Sequence, residues 1–364
     1  MKKSFFLDYF PPPDYLAMPA VAFDISDRSL KYAQLRRKKG LLRLAKFGRE
    51  AIPEGLIESG EIKKEGELVD FLRSLREKMR IEYVTISLPE EKGFLSKVRL
   101  PQMDESEIRG ALEVQLQENI PLSADDAIFD FEIEDWGSEK KDSPNFMEIN
   151  LSAFPKRLVE VYRDVLRSAG FKPLAFEMEA QSSSRAIIPY GAKESFLIVD
   201  LGKTRTTFII VENEKVQFTS TVKVGGDQFD MAVAKSLNLK KEEAEKIKAE
   251  RGLVKNKTND EVFTSLIPLV SAIKDEISKH VKYWDFRKRG RNSQNKIEKI
   301  MLCGGNSTIP GFKEYLSYES RLPVELANPW VNIVSFDEYI PEIDLKDSLV
   351  YATALGLALR PASY

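Results

Sequence analysis

Two stretches of this chain carry one pattern, about 175 residues apart: an apolar strand ending in Asp, a short turn, then a second apolar strand. The first is Val21-Ala22-Phe23-Asp24-Ile25-Ser26, followed by Ser29 to Leu35. The second is Phe196-Leu197-Ile198-Val199-Asp200-Leu201-Gly202, followed by Thr206 to Val211. Each reads as a β-hairpin. One supersecondary unit recurring once marks two related halves, not a solenoid. At 364 residues the chain also exceeds one ordinary core, so several packed units are expected.

The residues between the hairpins differ in character. Tyr83 to Pro89 is strand-like, and Phe94 to Leu100 alternates apolar and polar. Asp104 is the expected N-cap of a helix, with Glu107 at capping-box spacing and Ile108, Leu112 and Leu116 on one face. Strands at 127–133 and 146–153 flank the charged loop Gly137 to Ser143, and a helix from Pro155 to Ala169 ends at Gly170. This is an inserted α+β segment. After the second hairpin come Val224-Gly225-Gly226-Asp227, a helix-rich stretch to about Phe286, the basic run Arg287 to Arg291, a strand into Gly304-Gly305-Asn306, and an apolar helix at Leu349–Leu359.

Composition removes several classes of chemistry. Fifty-five basic residues against fifty-seven acidic ones give no electrostatic case for nucleic acid. Cys303 and His280 are the only residues of their types, so a disulfide, a His-based metal site and a Ser-His-Asp triad are not expected. His280 reads as a surface or half-buried helix residue. No stretch approaches the roughly 20 apolar residues of a membrane span. The opening run is cut by Asp8 and followed by Pro11 to Pro13, which reads as a flexible arm and not an export signal. A cytoplasmic setting is expected.

The hairpins suggest chemistry. A carboxylate at a strand end can hold Mg²⁺ through water, and a turn glycine lets backbone amides approach phosphate. Asp24 and Asp200 supply the first feature, and Gly202 with Thr204 the second. Gly225-Gly226-Asp227 opens a helix, where amide dipoles favour an anion. Glu245 and Lys248 stand at i and i+3, on one helix face, suited to a ribose hydroxyl and a purine edge. Gly304, Gly305 and Asn306 offer backbone over which a flat base could lie. For each motif alone, a plain turn or a solvated helix face is the simpler reading; their order favours a site.

That order resembles the actin-like ATPase superfamily, and within it the PilM family, cytoplasmic pilus-assembly relatives of the division protein FtsA. The matching stretches are Gly225 to Phe229, Glu243 to Lys248, Gly304 to Phe312 and Leu326-Ala327-Asn328-Pro329-Trp330. The resemblance covers roughly residues 19 to 361 and implies an actin-like fold of two related halves with an inserted α+β (SHS2-type) subdomain. The implied division is an arm at 1–18, a first subdomain at 19–82 completed by 169–192 and 340–362, and an insertion at 83–168. A second subdomain spans 193–228, completed by 298–339, and a helical subdomain 229–297. ATP or ADP with Mg would be held by Asp24, Lys31, Asp200, Gly202, Thr204, Gly225, Gly226, Asp227, Glu245, Lys248, Gly304, Gly305 and Asn306. Asp24, Asp200 and Glu179 are the implied candidates for catalysis.

The resemblance further implies a groove beside the insertion that takes the N-terminal tail of a PilN-like inner-membrane protein. The chain would thus sit at the membrane through its partner, within a pilus alignment complex, leaving the motor and homo-oligomerisation open. The first loop departs from the family: Ser26, Asp27 and Arg28 stand where glycine and small hydroxyl residues are usual. A Cβ at Ser26 narrows the backbone approach, and Asp27 adds charge of the wrong sign unless Mg²⁺ or Arg28 offsets it. Nucleotide binding with weak or absent hydrolysis is the expectation. Two other readings stay open: a sugar-kinase-like enzyme, for which no sugar-binding set is evident, and an FtsA-like division tether, whose basic amphipathic end is not seen in Leu359 to Tyr364.

Overall fold

The structure, a computed structural model, describes residues 20–38, 40–135, 146–255, 259–289 and 296–362. The expected arm, the charged loop at 137–143 and the Gly290-Arg291 end of the basic run lie outside them.

The chain opens with an antiparallel meander, β1 (Val21–Ile25), β2 (Ser29–Lys38) and β3 (Leu41–Ala51). A small hairpin follows, β4 (Ile57–Glu58) with β5 (Glu61–Ile62), then helix α1 (Glu65–Met79) and β6 (Tyr83–Leu88), which returns parallel to β1. The inserted unit holds β7 (Phe94–Pro101), α2 (Glu105–Asn119), β8 (Ala127–Asp135) and β9 (Phe146–Pro155), and its three strands form their own sheet. Helix α3 (Lys156–Ser168) leads back to β10 (Lys172–Met178), parallel to β6, and to α4 (Glu179–Ile187). The first sheet thus reads β3-β2-β1-β6-β10.

The second half repeats this plan. A meander of β11 (Ser195–Leu201), β12 (Thr206–Glu212) and β13 (Lys215–Val222) is followed by α5 (Gly226–Leu237), α6 (Lys241–Arg251) and α7 (Asp260–Arg289). Then come β14 (Ile297–Cys303), α8 (Phe312–Ser320) and β15 (Val324–Leu326), and the sheet reads β13-β12-β11-β14-β15. Both sheets place the meander's first strand at the centre, with two parallel strands added beside it. That position explains the unbroken apolar runs: a central strand covered on both faces has no solvent side for polar residues. All five residues of β1 are buried, as are six of the seven in β11.

The chain ends in α9 (Leu345–Ser348) and α10 (Ala352–Ala362). Helix α10 crosses α4 so closely that a Cβ on Gly356 would overlap the Ser182 backbone carbonyl, which only glycine avoids. The Leu326–Trp330 run carries the chain from β15 to the first half. There Trp330 is buried with Ala22, Ala33 and Leu355, and Asn332 Nδ2 donates to the carbonyls of Arg185 (2.8 Å) and Ile188 (2.6 Å).

Three expectations change. Tyr83–Leu88, assigned to the insertion, is a central strand of the first sheet, between β1 and β10. Asp104 stands at the N-cap of α2, but its side chain makes no capping bond; its backbone carbonyl accepts from Glu107 N at 2.9 Å. His280 is buried, its ring 5.0 Å from Phe208 and 5.3 Å from Phe218. Ile108, Leu112 and Leu116 are buried within the inserted unit. That unit also touches the second half. Lys97 donates to Gln217 Oε1 (2.7 Å), Gln217 Nε2 donates to Glu134, Asn150 Nδ2 donates to the Val216 carbonyl (3.4 Å), and Lys215 Nζ donates to the Ile133 carbonyl (3.2 Å).

Candidate functional site

The two hairpin turns meet at a cleft with a cavity of about 150 Å³, lined by Asp24 and Lys31 from the first half and by Asp200, Gly202 and Thr204 from the second. Gly304, Gly305, Asn306, Glu179 and Glu245 also line it. Gly225, Gly226, Asp227 and Lys248 do not.

Asp24, one residue before the end of β1, stands directly opposite Lys31 of β2, and Lys31 Nζ donates to Asp24 Oδ2 at 2.8 Å. Asp200 stands one residue before the end of β11 and, alone among the cleft-lining carboxylates of the described residues, has no ion-pair or hydrogen-bond partner. Burial pushes it up to about 6; Lys31 pulls the other way and Asp24 adds to the rise. Gly304, at φ +82°, is what lets the β14 end pass so near: a Cβ there would overlap the Asp200 carboxylate and the Leu201 carbonyl.

The second loop is a tight turn closed by Gly202 N donating to the Arg205 carbonyl at 2.9 Å. Its own carbonyls are taken. Gly226 N donates to Gly202 O (3.0 Å), Asp227 N to Lys203 O (2.8 Å), and Asn306 Nδ2 to Gly202 O (2.9 Å). The start of α5, expected to face an anion, thus has two of its amides on the loop backbone. Asp227 turns instead to Lys241 (2.8 Å) and Arg28 (3.5 Å).

The pair expected at ribose and base is divided. Glu245 lines the cleft and accepts from Lys203 Nζ at 2.6 Å. Lys248 is buried, donating to Asn306 Oδ1 (2.8 Å) and paired with the fully buried Asp230 (2.6 Å), and burial lowers its pKa. It braces the loops from behind. Asp230 also accepts from Lys203 at 2.7 Å, so one carboxylate ties both lysines.

The first loop answers the difficulty raised by Asp27. Its carboxylate is buried and accepts from the backbone amides of Ser59 (3.2 Å) and Gly60 (3.0 Å) and from Thr204 Oγ1 (3.2 Å). Backbone amides and the opposite loop, not Arg28, therefore offset the charge. Arg28 goes to Glu54 and Asp227.

Glu179, the first residue of α4, is held by Arg205, whose Nη2 lies 2.9 and 3.3 Å from its two oxygens. Burial pushes Glu179 up to about 8 against the pull of Arg205. Arg205 was missed from sequence; its signal was a cation placed directly before the apolar β12. Arg49, Val350 and Thr353 also line the cleft unforeseen, because distant segments bring them there. A second cavity, of about 460 Å³, shares Arg28, Thr204 and Arg205 with the cleft and reaches Glu91 and Asp227.

The sequence matches the family described as type IV pilus assembly protein PilM over residues 22–362. Among solved structures the fold is similar to a PilM-PilN type IV pilus biogenesis complex. That match has 21% identity and a TM-score of 0.76, and covers 94% of this chain and 98% of that one. It is also similar to MreB5 of Spiroplasma citri bound to ADP (13% identity, TM-score 0.57, 95% and 97% covered). A third likeness is to the ethanolamine utilization protein EutJ of Carboxydothermus hydrogenoformans (16%, 0.56, 93% and 89%). At these identities the structures speak for an actin-like fold.

Proposed function

This chain belongs to the PilM family of type IV pilus assembly proteins, and on that premise we propose that its cleft holds an adenine nucleotide while its inserted unit serves a membrane-anchored partner. It is a scaffold of type IV pilus assembly with a PilN-type partner; neither the sugar-kinase nor the division-tether reading is favoured. One observation carries the nucleotide reading. Asp200, the cleft's free carboxylate, is brought by Gly304 to the same cavity as Asp24, Lys31, Thr204 and Glu245.

The residues fit a hydrated Mg²⁺ better than a directly ligated one. Among the described residues no cluster of three or more His, Cys, Asp or Glu could cage a metal, and Asp24 is engaged by Lys31. Mg²⁺ that keeps its waters and is brought by nucleotide phosphates needs one or two carboxylates, which Asp200 supplies. Bound there, the ion would neutralise phosphate charge. The second loop would offer its turn amides, and the Thr204 hydroxyl only after it releases Asp27. Glu245 accepts from Lys203 through Oε1 alone, which leaves Oε2 for a ribose hydroxyl.

No helix of the described residues is long and apolar enough to cross a membrane. Attachment at the cytoplasmic face through the tail of a PilN-like protein is the reading that follows. The test is calorimetry on the intact chain, titrated with Mg-ADP, Mg-ATP and a synthetic PilN-like N-terminal peptide. Saturable binding of both ligand classes is expected. Absence of nucleotide binding at millimolar concentration would sink the cleft reading alone, and absence of peptide binding the partner reading alone. Deleting 83–168 is not a usable control, since it removes β6 from the centre of the first sheet.

A further inference from the structure

Arg205 joins the two halves by charge. It stands on the second-half loop, yet its guanidinium lies among first-half acids: Glu179 at 2.9 Å, Glu91 at 2.9 Å and Asp27 at 3.7 Å. Its side chain is 11% exposed. These acids come from three separate elements: the β1–β2 turn, the turn after β6 and the start of α4. Glu90, next to Glu91, accepts from the Ala180 amide at 2.9 Å, so the start of α4 is fixed from the same turn.

We infer that Arg205 is an autoinhibitory bolt, which ties the halves across the cleft and keeps Glu179 from acting as a base, so that bound ATP is held and not cleaved. This rests on the nucleotide reading of the cleft. Hydrolysis needs a water whose oxygen bonds to the terminal phosphorus as the bond from that phosphorus to the bridging oxygen breaks. The nucleoside diphosphate leaves with the bonding pair, and a base takes the water's proton. Of the cleft's carboxylates, Asp24 is engaged by Lys31 and Glu245 by Lys203, and Asp200 is the group suited to a hydrated cation. Glu179 remains: it lines the cleft, and the cation laid against it is Arg205 from the other half. Arg205 Nη2 lies against both its oxygens, at 2.9 and 3.3 Å, and so stands where an attacking water would have to hydrogen-bond to hand over its proton.

The experiment uses the intact chain, with ATP binding measured by calorimetry and turnover by release of inorganic phosphate. Removing the cation outright would strand three acids, so Arg205→Lys keeps the charge and loses the planar fork. Glu179→Asp leaves Arg205 in place and draws the carboxylate back by one methylene. Wild type is expected to bind Mg-ATP and release phosphate at the uncatalysed background rate. At least one of the two variants should bind ATP within about threefold of wild type and release phosphate at least about tenfold faster. Adding Glu179→Gln to Arg205→Lys should return the rate to background, which a merely structural effect would not do. The bolt is overturned by wild-type turnover well above background, by neither variant gaining turnover, or by neither still binding ATP. Failure of wild type itself to bind ATP strikes the cleft reading instead, so the two failures are told apart.

Discussion

The two hairpin turns share a frame and differ in chemistry. In both, the first strand of a three-stranded meander lies at the centre of a five-stranded sheet and carries an aspartate one residue before its end. The first turn then presents an acid, Asp27, pinned by the Ser59 and Gly60 amides. The second presents Thr204 and a cation, Arg205, which meet that acid. Arg28 of the first turn in turn reaches Asp227 at the start of α5, whose amide rests on the Lys203 carbonyl of the second. The loops are therefore complementary to each other as well as to a ligand. The sequence departure that looked unfavourable for phosphate is one half of an internal contact.

The comparison breaks most visibly if Arg205 is removed. Arg205→Ala leaves buried acids without their cation and should cost about 3–5 kcal/mol in equilibrium unfolding, as uncompensated buried charge does. A loss under 1 kcal/mol would show that the loops do not depend on each other. Next in size, Gly304→Ala forces a Cβ towards Asp200 at a positive φ, and should cost roughly 2 kcal/mol in chemical denaturation and weaken Mg-nucleotide binding. Asp200→Ala sharpens the contrast with Asp24. Ligand at about 100 times its Kd stabilises by about 2.7 kcal/mol, and this variant should lose most of the resulting rise in Tm.

Asp200 also carries a pH dependence of its own. Asp200, raised to about 6 by burial, binds a proton more tightly in the folded state than an ordinary carboxylate does. Its contribution to stability is thus present at low pH and lost as pH rises through about 6. Mg-nucleotide affinity should move the opposite way, strengthening across that window, and Asp200→Asn should flatten both profiles. Smallest of all, Arg28→Ala removes a partly exposed pair with Asp227 and should cost about 1 kcal/mol or less. A double-mutant cycle with Asp227→Asn reads the coupling.

Much of this was legible because local pattern decides it. The Asp-ended hairpins, the helix starting at Gly226 and the Gly170 stop (φ +89°) follow from periodicity and glycine chemistry within a few residues. Sheet membership does not. Tyr83–Leu88 reads as a strand from its own residues, but that it pairs with β1 and not with the inserted unit depends on distant chain. Lys248 illustrates the same limit at the site. Its helix face was foreseeable, whereas the fully buried Asp230 that draws it away from the cleft comes from the preceding helix. Asp27 was visible as a charge, but the amides that satisfy it belong to Ser59 and Gly60, more than 30 positions on.

The polar contact between the inserted unit and β13 has a mechanical meaning. Covalently, that unit hangs from the first half; through Lys97, Glu134 and Gln217 it is also riveted to the edge of the second sheet. That edge lies two strands from the β11 terminus that carries Asp200. A pull on the inserted unit is therefore shared by two rigid sheets, and the cleft is a seam under that load. Anything that opens or tightens the seam alters the stiffness felt at the inserted unit, and a ligand seated there alters the seam by the same free energy in return.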